Sequence, residues 1–269
     1  MRITIIGGGN MGGAIAMGLV RGTLVKADEI SVVDFSQASL DKLKAFNSDI
    51  NVTKEAYGRV KDADIIIFAV KPWQIQGVME DIKFKLNYEK QLLVSIAAGV
   101  SFDALNRYLK RDDASSLPIL FRVIPNTAIA VRQSMTVVAS CNASSGQEKL
   151  ILDVFNELGK AISIPESQMA AATALGSCGT AFAMRYVRAA CEGGVELGFY
   201  PDAAKEIVLQ TIKGAVELLT ASGNHPEAEI DKVSTPGGFT IKGLNAMEEA
   251  GFTSAVIKGL RASGVQDVV

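Results

Sequence analysis

Two textures divide the chain. Up to about residue 164, short apolar and often β-branched runs alternate with stretches whose apolar positions recur every three or four residues. Beyond Pro165 only the second pattern survives. The runs Arg2–Ile6, Ile30–Asp34, Asp64–Val70, Leu92–Ile96 and Ile119–Ile124 are nearly continuous in hydrophobicity, as expected of parallel strands buried on both faces. A shorter strand is predicted around Ile50–Val52. Met135–Ala139 and Ala161–Ile164 read as further edge strands, with the helix Gln147–Leu158 between them. Helical spacing covers Ala14–Val20 and passes through Leu40, Leu43 and Phe46, and Ser101 is placed to cap a helix carrying Leu105 and Leu109.

After Glu166 helix follows helix. Gly179–Gly198 is rich in small residues, and Pro201-Asp202 opens a helix with an apolar stripe through Ala204, Val208, Thr211, Ala215 and Leu219. Two more are predicted over about Pro236–Glu249 and Thr253–Ser263. Alternating strands and helices followed by helices alone predict two domains. Residues 1–164 form an α/β domain around a doubly wound sheet, and residues 165–269 an all-α domain. Ala190, Gly194 and Gly198 stand four apart. Glycine inside a helix costs ~1 kcal/mol against alanine, so close helix–helix approach is expected there, within the subunit or across a dimer.

The first run leads into the densest chemistry. Arg2–Ile6 passes directly into Gly7-x-Gly9-x-x-Gly12, with Asn10 and Met11 inside the pattern, and a helix follows. In that order the glycines serve a dinucleotide. Gly7 permits the tight turn, Gly9 lets backbone approach a pyrophosphate, and Gly12 lets the helix sit close to the strand. The helix N-terminus supplies free N–H groups to the anion. Asp34 ends the second strand, where a carboxylate binds a ribose 2′-OH. The first domain is therefore expected to be Rossmann-like. Lys71-Pro72 breaks the chain at the end of Asp64–Val70, and Ala97-Ala98-Gly99 follows Leu92–Ile96 with small residues against which a flat ligand can lie.

Composition narrows the partners. At 269 residues with 48% hydrophobic, the chain can bury a sizeable core. Its net charge of −2 leaves no basic footprint for nucleic acid or an anionic membrane. No apolar run approaches the ~18 residues of a membrane span, and the chain opens directly on a strand, which reads as lacking a leader. Cys141, Cys178 and Cys191 never form a C-x-x-C pair. That spacing argues for a reducing, cytoplasmic setting and against disulfides or a metal site. The single histidine, His225, lies in the turn-like Ser222-Gly223-Asn224-His225-Pro226, so chemistry centred on histidine is not expected.

A second loaded segment is Val233-Ser234-Thr235-Pro236-Gly237-Gly238-Phe239-Thr240. Thr235 suits an N-cap and Pro236 the first helical position. Gly237 and Gly238 would then present first-turn N–H groups without side chains in front of them, a site of carboxylate size. Thr240, one turn further in, would aim its hydroxyl at whatever those groups hold. A well-capped structural helix is the alternative.

At this point the chain resembles the pyrroline-5-carboxylate reductase family, nearly end to end. The resemblance rests on Gly7–Gly12, Ala69-Val70-Lys71-Pro72, Ala97–Val100, Arg122–Thr127, Gly193–Gly198, and above all Val233–Thr240 with Gly243-Leu244 and Met247-Glu248. It implies hydride transfer from NADH or NADPH to the C=N bond of 1-pyrroline-5-carboxylate, giving L-proline. The Gly7–Gly12 loop would hold the pyrophosphate. Ala69, Val70, Lys71 and Pro72, with Ile96, Ala97 and Ala98, would line the nicotinamide side. Ser234, Gly237, Gly238, Phe239 and Thr240 would take the substrate carboxylate, with the Thr240 hydroxyl on the ring nitrogen. The helical domain would interlock subunits of a homodimer or larger homo-oligomer, with the site at their interface. The chain departs from the family's Ser-Gly-Ser-Gly-Pro-Ala with Gly176-Ser177-Cys178-Gly179-Thr180-Ala181, and the family's ribose-side asparagine is missing from 53–57.

Two other functions fit parts of the pattern. A β-hydroxyacid dehydrogenase of this architecture would need a general base on the helical domain, where Lys205 and Lys213 are the candidates on the two long helices and both read as solvated. A non-catalytic nucleotide-binding regulator would be favoured by loss of Thr240 or Gly237-Gly238, and both are intact.

Overall fold

In the computed structural model, residues 1–55, 57–112 and 116–264 are described. The last five positions of the expected second domain and part of segment 53–57 lie outside them. The strands are β1 (Ile3–Ile6), β2 (Ile30–Val33), β3 (Asn51–Thr53), β4 (Ile65–Phe68), β5 (Leu92–Ser95), β6 (Ile119–Ile124), β7 (Ser134–Cys141) and β8 (Gly159–Ser163). Among them run helices α1 (Asn10–Val20), α2 (Gln37–Phe46), α3 (Tyr57–Val60), α4 (Pro72–Ile82), α5 (Phe102–Tyr108) and α6 (Ser145–Asn156). Then come α7 (Met169–Ala172), α8 (Gly179–Glu196), α9 (Pro201–Ser222), α10 (Pro226–Val233), α11 (Phe239–Glu249) and α12 (Phe252–Ala262).

The strands form one sheet in the order β3-β2-β1-β4-β5-β6-β7-β8. Pairing is parallel except between β6 and β7. The link 125–133 is too short to carry a crossover helix, so the chain can only turn back there. Chain order reverses direction between β1 and β4, which makes their carboxyl ends the switch point of the sheet. The unbroken apolar runs explain the layering. Ile65 and Ile67 face one core with Ile15 and Leu19 of α1 and Phe155 of α6. Ile66 and Phe68 face the other, with Ile75 and Met79 of α4 and Leu105 of α5.

The structure differs from the sequence reading in the place of one strand and in several helices. β7 is not an edge strand: it lies between β6 and β8, and β8 takes the edge. α3, α4 and α10 are helices beyond those the sequence pattern predicts. The chain also divides into compact units at Ser177/Cys178, later than the change of texture at Pro165. The segment after β8 is held by the first unit: Met169 and Ala174 are buried, and Met169 packs in the α4–α5 core.

The second unit, Cys178–Ser263, is helical throughout. α8 packs on α9, and a Cβ on Gly194 would sit 3.0 Å from that of Ala204. That contact gives one of the small residues its reason within the subunit. Gly198, at φ +99°, instead ends the helix. Ala204 is the only residue fully buried in α8–α12. Large apolar side chains stay exposed on the helices of this unit, among them Met184 and Tyr186 of α8, Leu209, Val216 and Leu218 of α9, Phe239 of α11, and Val256 and Ile257 of α12. No described helix is long and apolar enough to cross a membrane.

Candidate active site

The carboxyl ends of β1, β2, β4 and β5 carry the residues expected to hold a dinucleotide. Gly7 takes φ +105°, and a Cβ there would lie 2.5 Å from the carbonyl oxygen of Ala69. A residue with a side chain would therefore both strain the turn and push it off β4. A Cβ on Gly12 would collide with the Gly7 carbonyl and come within 2.9 Å of the Ala69 Cβ, so α1 sits directly on the loop. Gly9 is the N-cap of α1, extended at φ −66°, ψ −158°, with no side-chain cap, and nothing lies within 4 Å of where its Cβ would stand. The first-turn N–H groups of Asn10, Met11 and Gly12 thus open onto unfilled space at the positive end of the helix. That cradle fits a pyrophosphate.

Asp34 is built into the same loop. Its Oδ2 accepts the Gly8 N–H at 2.6 Å and its Oδ1 accepts the Ser36 N–H at 2.7 Å. The carboxylate is fixed at the end of β2, and each oxygen keeps a lone pair for a hydroxyl donor. Ser36 spends its own hydroxyl as the N-cap of α2, accepting from the Ser39 N–H at 3.3 Å.

Across the switch point, the Ala69 N–H bonds Ile6 O at 2.7 Å and the Ile96 N–H bonds Phe68 O at 3.1 Å. These bonds hold the ends of β4 and β5 level with the glycine loop. Val70 leads to Lys71, the exposed N-cap of α4, whose N–H is accepted by Gln74 Oε1 at 3.3 Å. Pro72 takes the first helical position, where its missing N–H leaves no gap. Ala97 is buried and donates to Ser95 Oγ, Ala98 is exposed, and Gly99 turns the chain at φ +77°.

The second constellation lies in the helical unit, and its geometry corrects the reading from sequence. Thr235 is not a helix cap. The Gly238 N–H bonds Thr235 O at 2.9 Å, and Gly237 takes φ +68°. Proline followed by a positive-φ glycine inside such a bond marks a type II turn. α11 then begins at Phe239 with Gly238 as an extended, uncapped N-cap. The Gly238 N–H is spent on the turn, so the open donors are those of Phe239, Thr240 and Ile241. Thr240 accordingly sits in the first turn, at the mouth of the helix rather than one turn in, and it is exposed. Phe239 is 93% exposed, and Lys242 Nζ stands 6.0 Å from its ring centroid, adding positive charge beside the helix mouth. Ser234 ends α10, and its Oγ is buried with no hydrogen-bond partner among the described residues.

α10 delivers that turn and is itself pinned. Glu229 accepts from Lys232 Nζ and Asn224 Nδ2, each at 2.7 Å. The Lys232 bond, then those of Asn224 and Ser222, hold its carboxyl down to about 2. His225 is exposed and caps α10 through Nδ1. Lys205 and Lys213 are exposed on α9, which leaves a hydroxyacid mechanism without a buried base there.

Two polar features escaped the sequence. Asn126 caps the turn after β6 and donates to Gly176 O at 2.8 Å. Arg122, inside β6, is 2% exposed and pairs with Glu166 at 2.6 Å. A lone arginine within Ile-Leu-Phe-Arg-Val-Ile is the one signal that a buried ion pair was coming.

Comparison with known proteins finds matches to both halves of the chain. Residues 166–266 match the family model described as pyrroline-5-carboxylate reductase dimerisation, and residues 2–99 the model described as NADP oxidoreductase, coenzyme F420-dependent. The chain is 39% identical to pyrroline-5-carboxylate reductase 1 of Dictyostelium discoideum, over 97% of its own length and 48% of that protein, so it spans about half of that relative. It is 35% identical to pyrroline-5-carboxylate reductase 2 of the same organism, over 96% and 89% of the two chains. Among solved structures it is similar to the Plasmodium falciparum pyrroline carboxylate reductase with NADP bound, with a TM-score of 0.86 and 28% identity over 98% and 95% of the chains.

Proposed function

Because the chain belongs to the pyrroline-5-carboxylate reductase family, we propose that it reduces 1-pyrroline-5-carboxylate to L-proline, with NADH or NADPH as the reductant. The observation that carries this reading is the uncapped first turn of α11, fronted by Gly238 and carrying Thr240. Together with the Gly7–Gly12 cradle it supplies one site for a small carboxylate and another for a dinucleotide. The chain is then a small-molecule oxidoreductase.

When bound, the reduced nicotinamide supplies the hydride to the imine carbon. The rest is positioning. The open N–H groups of Asn10, Met11 and Gly12 hold the pyrophosphate, and Asp34 accepts from the ribose. Ala69–Pro72 and Ile96–Ala98 form the wall beside the nicotinamide. Phe239 and Thr240 N–H groups take the substrate carboxylate, helped by the α11 dipole and Lys242. We also assign Ser234 to this ligand, on its buried and unpaired hydroxyl just before the turn. Thr240 Oγ1 donates to the ring nitrogen as its positive charge is lost, which favours the transition state over the ground state. A cyclic imine needs little acid, so a site without an obligatory histidine or carboxylic acid suffices.

Hydride transfer requires the coenzyme half and the α11 mouth to meet. We assign that meeting to the interface of a homodimer or larger homo-oligomer. The exposed apolar faces of α8, α9 and α12 support it, since one helical unit alone leaves them in water. The test joins two measurements on purified protein: loss of reduced-nicotinamide absorbance that depends on pyrroline-5-carboxylate, with proline as product, and light scattering under assay conditions. Folded protein that binds nucleotide but turns nothing over with either coenzyme would favour the regulator instead. An active monomer of 28.5 kDa would remove the interface from the proposal.

A further inference from the structure

The buried arginine of β6 has no part in the chemistry above. Arg122 alternates along its strand with Leu120 and Ile124, which belong to the core under α4, α5 and Met169; it therefore points to that face. A charge there is costly unless paired. Its partner is Glu166, the first residue of the helical turn after β8, whose Oε1 accepts from Arg122 Nη1 at 2.6 Å. The same oxygen accepts the backbone N–H of Phe102 at 2.7 Å. Phe102 opens α5.

Those three residues bracket one loop. In the sheet, Arg122 is in register with Ser95, the last residue of β5. Chain 96–101 leaves the sheet beside Arg122 and enters α5 at Phe102, where the carboxylate held by Arg122 receives it. The loop contains Ile96, Ala97 and Ala98. One end of the loop is thus tied to the ion pair at Phe102, and the other lies beside the strand position that carries Arg122.

We propose that the Arg122–Glu166 pair is a positioning device for the coenzyme, setting the 96–101 loop at the height where it backs the nicotinamide. The inference rests on the reading of Ile96–Ala98 given under Proposed function. Neither residue touches the reacting atoms, so both act through the loop. The AMP half of the coenzyme, held by Gly7–Gly12 and Asp34, is independent of the pair.

That division sets the experiment. Glu166→Gln keeps the shape and removes the charge, and calorimetric titration measures NADH and ADP-ribose on the same protein. The expected result is affinity for NADH weakened about tenfold, as for a ligand wall displaced by a fraction of an ångström, with ADP-ribose unchanged and KM for NADH rising more than kcat falls. Equal weakening of both ligands, or of neither, would overturn the proposal. Because a half-broken pair can unfold the chain, the second variant is Arg122→Met with Glu166→Leu, which replaces the pair by apolar groups and tends to restore stability. It still lacks an acceptor for Phe102, so the NADH defect should persist at a wild-type melting temperature. NADH affinity restored along with stability would make the pair structural only and reject its positioning role. Turnover by the unaltered protein is read separately: an inactive wild type that binds ADP-ribose refutes the functional reading, and this inference with it.

Discussion

Coenzyme choice turns on one carboxylate. Asp34 is tethered at both oxygens, to Gly8 at 2.6 Å and Ser36 at 2.7 Å, and cannot swing away from a ligand at the end of β2. NADPH would bring a 2′-phosphate of roughly −1.5 to −2 charge against it. Unit charges ~4 Å apart repel by ~4 kcal/mol at an effective dielectric of ~20 and by ~1 kcal/mol in bulk water. Asp34 is half-buried, so the penalty falls between, about 2 kcal/mol or about 30-fold. No cation offsets it in Phe35-Ser36-Gln37-Ala38-Ser39. The NADP held by the Plasmodium falciparum relative makes this a statement about the end of β2 in this chain. The assay is kcat/KM for NADH and NADPH at low and high salt, with a preference for NADH that shrinks as salt screens the charge. Asp34→Asn should bring the two coenzymes close to parity. It should also cost stability, about 1.5–3 kcal/mol, because an amide can accept only one of the two N–H groups. Equal or better kcat/KM with NADPH in the unaltered protein would refute the argument.

Three further outcomes follow from the site. Thr240→Val keeps the shape and backbone N–H but removes the hydroxyl, a contact of about 1.5–3 kcal/mol; kcat should fall roughly 10- to 100-fold with nucleotide affinity unchanged, and a normal kcat would take Thr240 out of the mechanism. Gly12→Ala drives a Cβ into the Gly7 carbonyl, so the melting temperature should fall by the equivalent of about 1–3 kcal/mol and calorimetry should show weakened nucleotide binding, whereas intact binding would contradict the cradle. Glu229, held to about 2 chiefly by Lys232, contributes stability that is present above its ordinary value of 4.5 and is lost as pH falls toward 2. Lys232→Gln should move its carboxyl upward in an NMR titration, and an unmoved carboxyl would reject that cause.

Legibility in the sequence followed the range of the interaction. Ile65–Phe68 and Ile119–Ile124 were readable because burial on both faces leaves a continuous apolar run. β7 was misplaced to the edge because its pattern records its faces and not which strands lie beside it; pairing with both β6 and β8 is a property of topology. Lys71-Pro72 reads from sequence as the end of a strand, yet proline at the first helical position is also a start signal, and α4 begins there. The same ambiguity moved α11. Thr-Pro-Gly-Gly suits a capped helix start and a type II turn equally well by composition, and the positive φ of Gly237 decides for the turn. Glu166 lies 44 residues from Arg122, and no local rule joins them.

The helix starts differ in kind: three open on a serine cap and two on an extended glycine, while α4 and α9 lack a side-chain cap and open on proline. α2, α5 and α6 begin with Ser36, Ser101 and Ser144, each of whose hydroxyls accepts the N–H of the third helical residue. Replacing such a cap typically costs ~1 kcal/mol, and these helices spend it on stability. α1 and α11 begin with Gly9 and Gly238 in nearly the same extended conformation, φ −66° and −69°, with no side-chain cap. Gly251 before α12, by contrast, is left-handed at φ +83°. Leaving the first turn open at α1 and α11, with glycine in front of it, forgoes the stabilisation of a side-chain cap in the free protein. An anion can fill such a turn through the same N–H groups, and the space left by the missing Cβ lets it approach. The two open helix ends differ in how their glycine is fixed. Gly8, before Gly9, is held to the Asp34 carboxylate, so the α1 mouth is coupled to the group that selects the ribose. Gly238 is held by a turn whose geometry depends on Gly237, so the α11 mouth is set by local chain alone. Substitutions at Asp34 should therefore disturb both coenzyme choice and coenzyme affinity, while substitutions at Gly237 should raise KM for the carboxylate substrate and leave coenzyme affinity in place.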